Sequence, residues 1–194
     1  MAGGPVRIAV ASGKGGTGKT TVATSLALSL LERESSRDDS TTVPPTFLDC
    51  DVEGPNAHLF LAPTFERSRD VVILLPQVDP AACIGCGRCA EVCEYSAIVL
   101  PGDQPLVLAE LCHGCGSCTL ECPTHAISEV AHGIGVLEAG TTPGGMPFAR
   151  GVLDVGQPMA TPAIRQLKRW VIPHVDDGGV VILDVPPGTS CPVV

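Results

Sequence analysis

The stretch SGKGGTGKTT, residues 12–21, leaves the chain few ways to fold. It follows the apolar run VRIAVA at 6–11, which reads as a buried strand. It precedes Val22, Leu26, Leu30 and Leu31, whose spacing predicts a helix over about 19–33. A strand, a glycine-rich loop carrying Gly13-x4-Gly18-Lys19-Thr20 and a helix, in that order, make the P-loop pattern. Its glycines let backbone N–H groups approach phosphate oxygens, and the helix N-terminus adds a partial positive charge. In this pattern the lysine, Lys19, reaches the β- and γ-phosphates, and the Thr20 hydroxyl ligates Mg²⁺. Gly13, Gly15, Gly16, Thr17, Gly18, Lys19, Thr20 and Thr21 are the candidate nucleotide-binding residues.

The rest of the chain suits such a site. Hydrophobic residues make up 44% of it but aromatic ones only 3%, an aliphatic balance that fits parallel strands buried under helices. A second strand is expected within 43–48, ahead of the turn-rich DCDVEGPN at 49–56. Residues 63–76 read as a linker with a short apolar run, VVILL. HGIGVLEAG and FARGVLDV read as strands. Residues 160–171 read as a helix, with Pro162 in its first turn and Ile164, Leu167 and Val171 on one face. GGVVILDVPPGTSCPVV gives a last strand ending at Asp184, then a loop. The expected class is α/β, a P-loop NTPase with a mostly parallel sheet. That sheet is expected to be incomplete at the C-terminus, because such a sheet ordinarily continues past this strand.

Composition changes abruptly near Gln77. From there to about Val130 come eight of the ten cysteines, in two similar halves offset by 29 residues, CIGCGRCAEVCEYSAI and CHGCGSCTLECPTHAI. The spacing C-x2-C-x2-C-x3-C occurs twice, which is the two-cluster bacterial ferredoxin arrangement, where each run's fourth cysteine serves the other cluster. That assigns Cys83, Cys86, Cys89 and Cys122 to one [4Fe–4S] cluster and Cys112, Cys115, Cys118 and Cys93 to a second. Gly85, Gly87, Gly114 and Gly116 let the backbone wrap the clusters. Zinc also takes C-x2-C pairs; duplication of a four-cysteine run points to clusters instead. Glu94 stands where a proline follows the second run, and His113, beside Cys112, is a candidate tuning residue rather than a ligand. The expected organisation is an ATPase domain in two parts, 1–76 and 131–194, with an inserted α+β ferredoxin-like domain at 77–130.

The formal charge of −9 argues against non-specific nucleic-acid binding, which needs a basic surface. MAGGPVRIAVAS has neither the basic head nor the apolar stretch of an export signal, and no apolar run approaches a membrane span. A cytoplasmic protein is expected, in which ten cysteines serve as metal ligands rather than disulfides.

KGGTGKTT, with Asp49-Cys50-Asp51 at a strand end and DVPPGTSCP after the last strand, resembles the MinD/ParA superfamily of P-loop ATPases, which includes the nitrogenase iron protein. The resemblance is to members with an inserted ferredoxin domain, and it covers nearly the whole chain. It implies a deviant P-loop whose early lysine, Lys14, acts across a dimer interface on the partner's ATP. It also implies that Asp51 orients the attacking water, that Asn56 lies near the nucleotide or interface, and that Asp184 holds Mg²⁺ through water. Gly188 would sense the γ-phosphate. Cys191 matches the position of a cluster-ligating cysteine in the nitrogenase iron protein, but that protein's second cysteine motif has no counterpart here, and the sequence favours an unligated loop thiol. The resemblance implies a homodimer, or a heterodimer with a paralogous ATPase, and a redox or metallocofactor protein partner. The function it implies is ATP-gated electron delivery or iron–sulfur and metallocofactor assembly. The alternative is a MinD-like positioning or complex-assembly ATPase whose clusters are structural or redox-sensing.

Overall fold

The computed structural model describes residues 4–35 and 43–188. Cys191 lies outside the described residues. The first elements are β1 (Val6–Val10), α1 (Lys19–Ser35), β2 (Thr46–Asp49), α2 (His58–Leu61) and β3 (Thr64–Val78). Next come α3 (Arg88–Glu91), β4 (Ile98–Val99), β5 (Leu106–Val107) and α4 (Ser117–Leu120). The chain continues through β6 (Ile127–Thr141), β7 (Pro147–Leu153), α5 (Ala160–Val171) and β8 (Val180–Asp184).

Six strands form one sheet in the order β1-β8-β2-β7-β6-β3. The first four run parallel, and β6 pairs antiparallel with β7. The result is a mixed α/β fold with a largely parallel central sheet. Register matters for function. Asp184 pairs with Val10 on one side and with Asp49 on the other, so β1, β8 and β2 end level with one another. The carboxyl ends of parallel strands are where open α/β sheets bind ligands.

One side of the sheet is covered by α1 through two alanines one turn apart. Ala23 and Ala27 are fully buried in a cluster with Phe47, Phe148 and Ile182. Their small side chains let the helix lie close on the strands. Phe47 and Phe148 stack across β2 and β7 at 5.7 Å between centroids, 2° from parallel. Along α5, Ala160, Ala163, Ile164 and Leu167 are buried, the apolar stripe that its sequence period predicts.

Two expectations need correction. The run at 6–11 is not a buried strand: β1 is at the sheet edge, paired only with β8 among the described strands, and Val6 is 56% exposed. The stretch 63–76 is no linker. It belongs to β3, a 15-residue strand whose alternation is visible only from Val71, where Val71, Ile73 and Leu75 are buried while Val72 and Leu74 face out. Its first half, TFERSRD, is exposed or half-exposed throughout and so carries no period-2 signal.

The chain divides into two compact units, one of Met1–Val71, Gly135–Val155 and Ala160–Val194, the other of Val72–Ile134 with Gly156–Met159. Both crossings between the main segments, at 71–72 and 134–135, fall inside strands, β3 and β6. In the second unit, β4 and β5 form a small antiparallel hairpin, and α3 and α4 are its only α-helices among the described residues.

Candidate functional site

At the end of β1 the chain turns into the glycine-rich loop. Gly16 and Gly18 have φ of 72° and 85°, a left-handed backbone that glycine adopts without strain. The loop is clipped shut by its own hydroxyls. Ser12 Oγ donates to the Lys14 carbonyl at 2.7 Å, and Thr17 Oγ1 donates to Ser12 Oγ at 2.8 Å. α1 then starts directly on the loop, with Val22 N–H donating to the Gly18 carbonyl at 2.9 Å and Thr24 Oγ1 to the Thr20 carbonyl at 2.7 Å. A Cβ placed on Gly13, Gly15, Gly16 or Gly18 would meet nothing within 4 Å. The glycines are therefore not needed for packing against protein, and the space they leave open suits a phosphate chain. Lys19 is 9% exposed at the loop's inner end, and Thr21 is exposed in the first turn of α1.

Three carboxylates stand at the neighbouring strand ends. Asp184 is fully buried, and neither of its oxygens has a hydrogen-bond partner. Burial pushes its carboxyl up from the ordinary range; the Thr20 hydroxyl and the Lys19 ammonium oppose that rise. A buried, unpartnered carboxylate beside a P-loop threonine is costly unless something cationic sits against it. The donors present thus fit Mg²⁺. Asp51 is half-buried and is also raised, first by burial and then by Asp184, with Lys19 opposing.

Asp49 is a residue whose role sequence reasoning missed. It is fully buried, and its two oxygens accept from the N–H groups of Asp51 at 3.2 Å and Ala57 at 3.0 Å. Burial, despite these bonds, raises it to about 6. Asp49 therefore folds the turn that carries Asp51 and Asn56. The available signal was an aspartate opening the turn-rich DCDVEGPN stretch, a pattern shared by many surface turns. Between the two aspartates, Cys50 is a buried thiol pushed up to about 12, unsuited to chemistry. Gly188 reaches the loop, its N–H donating to the Ser12 carbonyl at 3.0 Å. Lys14 and Asn56 are exposed: Lys14 Nζ has no partner in the hydrogen bonds or ion pairs of the described residues, and the Asn56 carbonyl accepts from Leu59 N–H.

In the second unit, the halves of the cysteine repeat fold alike. Gly87 and Gly116 precede α3 and α4 with φ of 75° and 77°, and Ser96 and His125 share a φ of 52°. Ala97 N–H donates to Cys93 Sγ and Ala126 N–H to Cys122 Sγ, both at 3.2 Å. The fourth cysteine of each run crosses over. Cys83, Cys86, Cys89 and Cys122 line one cavity; Cys93, Cys112, Cys115 and Cys118 line the other. No three His, Cys, Asp or Glu side chains among the described residues converge on a single-ion site. Four thiols around each cavity are the ligand set that a [4Fe–4S] cluster takes.

Comparison with known proteins gives two family matches. Residues 5–82 match ParA, described as "NUBPL iron-transfer P-loop NTPase", and residues 76–129 match a 4Fe-4S dicluster domain. The first part of the chain is thus similar to ParA-type P-loop NTPases and its middle to dicluster iron–sulfur domains. Two uncharacterized proteins of Methanocaldococcus jannaschii are similar in sequence. MJ0578 is 33% identical over 192 residues, covering 97% of this chain and 62% of the relative. MJ0579 is 30% identical over 112 residues, covering 54% of this chain and 35% of the relative. The chain thus spans about three fifths of the first relative and about a third of the second. Among the described residues no helix is long and apolar enough to cross a membrane.

Proposed function

We propose that the protein is an Mg-ATP-dependent ATPase whose nucleotide state gates an inserted two-[4Fe–4S] ferredoxin module, for electron delivery to a partner protein or for iron–sulfur and metallocofactor assembly. The observation that carries this reading is the coexistence, in one chain, of a buried unpartnered Asp184 at a P-loop and two cavities of four thiols each. The module's extent, 77–130 by sequence, is similar to the span of the dicluster match at 76–129.

The loop amides and Lys19 bind the β- and γ-phosphates, and Thr20 and Asp184 hold the metal. Mg²⁺, when bound, neutralises phosphate charge. Asp51 orients water for attack on the γ-phosphate, and Gly188 registers that phosphate by releasing its N–H from the Ser12 carbonyl. Lys14 Nζ has no partner among the described residues, which suits a cation supplied across a dimer, with Asn56 at the same interface. Such a cation neutralises charge in the transition state as an arginine finger does. Closure of a homodimer, or of a heterodimer with a paralogous ATPase, would then depend on the triphosphate. The eight cysteines hold the clusters, which supply reversible one-electron storage.

The test is anaerobic purification of the protein with iron, sulfide and ATP turnover quantified, and the cluster potentials titrated with and without Mg-ATP. About eight irons and eight sulfides per chain are expected, with potentials that move on nucleotide addition. Intact clusters indifferent to Mg-ATP would overturn the gating. Patterned localisation without partner reduction would favour the positioning alternative.

A further inference from the structure

Because the cysteine repeat has an offset of 29 residues, the walls of its two cavities can be compared position by position. Their backbones match, but their charges do not. A Cβ on Gly87 would stand 3.5 Å from Leu100 Cδ2, and a Cβ on Gly116 would stand 3.0 Å from Glu129 Oε1. Leu100 and Glu129 are counterparts in the repeat. A methyl group therefore faces one helix-leading glycine where a carboxylate faces the other. Glu129 lines the second cavity, and no lysine or arginine does. The first cavity is lined by Arg88, whose counterpart is the neutral Ser117. Glu121 at 2.9 Å and Glu91 at 3.3 Å pair with that guanidinium but line neither cavity, so the charged side chain in the first lining is a cation and in the second a carboxylate. Tyr95 and His113 stack on the second wall at 3.6 Å between centroids, 5° from parallel; the counterparts at the first are Thr124 and Ile84.

Reduction adds one negative charge to a cluster that four thiolates already make anionic. A fixed carboxylate in the wall opposes that step, as does any group that keeps water from the reduced form. Resting on the two-cluster reading above, we infer that the clusters are inequivalent: Glu129 holds the one at Cys93, Cys112, Cys115 and Cys118 at the lower potential. The first electron taken from a one-electron donor then settles on the cluster at Cys83, Cys86, Cys89 and Cys122, and the second on its neighbour.

The experiment is an anaerobic potentiometric titration of the iron-loaded protein followed by EPR, with iron and sulfide measured on each sample. The native protein should take up two electrons in steps at least tenfold apart in reduction constant, about 59 mV for a one-electron couple. Glu129→Leu, the residue that the first half carries, should raise the lower step alone and narrow the gap. Glu129→Gln, which keeps the shape of the side chain, should act in the same direction if the leucine variant loads iron poorly. Superimposed steps in the native protein, or a lower step unmoved in both variants, overturn this inference while leaving two clusters in place. Fewer than about eight irons per chain, with no EPR signal on reduction, overturns the two-cluster reading itself.

Discussion

Asp49 spends its carboxylate on holding a turn, and that has a pH signature. Burial raises its carboxyl to about 6 in the folded state, above the ordinary 3.8. A raised folded pKa means that the native state holds the proton more tightly, so this group's stabilising contribution is complete below 3.8 and disappears as pH rises through about 6. Between pH 5 and 7 the loss is about 1 kcal/mol. The difference in urea-unfolding free energy between the native protein and Asp49→Asn should therefore shift against the native protein by that amount over this window. A difference flat with pH would mean that the carboxylate is not buried in solution. Asp184 sets a second expectation. Its oxygens are buried and accept no hydrogen bond, so Asp184→Asn should raise the melting temperature of the nucleotide-free protein by removing a buried charge that Lys19 offsets only in part. The same change should abolish the extra stability conferred by Mg-ATP. A nucleotide-free variant less stable than the native protein would show that the carboxylate is structural.

At the scale of elements, what the sequence reveals depends on whether burial alternates. α5 is legible because Ala163, Ile164 and Leu167 recur at the helical period with a polar face opposite. The P-loop is legible because strand, glycines and helix are contiguous. β3 is not, because TFERSRD is accessible on both faces, and a strand held only by its edges leaves no period in its residues. The antiparallel β6–β7 pair is equally hidden: two apolar runs near one another do not declare their direction. β6 also shows how closely its neighbour approaches. A Cβ on Gly140 would clash with the Thr64 carbonyl, and its next contacts, at 2.7 and 2.8 Å, are also backbone atoms of β3. Backbone cannot give way as a flexible side chain can, so Gly140→Val should destabilise by at least about 2 kcal/mol, read from the denaturation midpoint. Tolerance of valine there would mean that β3 and β6 are not neighbours at this point.

The whole molecule combines two cores of different kinds. The first unit rests on an aliphatic and aromatic cluster, including Phe47, Phe148 and Ile182, that needs no ligand. In the second, three of the six buried residues of the core cluster are cysteines, Cys89, Cys118 and Cys122, with Ile98, Ala126 and Ile127. The spacing of the eight cysteines sorts them into the two sets that line the two cavities, since ligand geometry is local and repeated. It could not show Glu129 against Gly116 or Tyr95 against His113, because neither pair has a spacing rule. On the proposed two-cluster reading, such a core gains its folding free energy from what its thiols bind. Stripping iron under chelation should therefore abolish the cooperative melting of the Val72–Ile134 unit. The remaining transition should persist and should still rise with Mg-ATP, by about 2.7 kcal/mol at a hundredfold excess over Kd. Differential scanning calorimetry with and without iron, and with and without Mg-ATP, separates the two responses. If iron removal also erased the transition that Mg-ATP protects, the nucleotide unit would depend on the clusters for its fold, and the division into separately stabilised cores would fail.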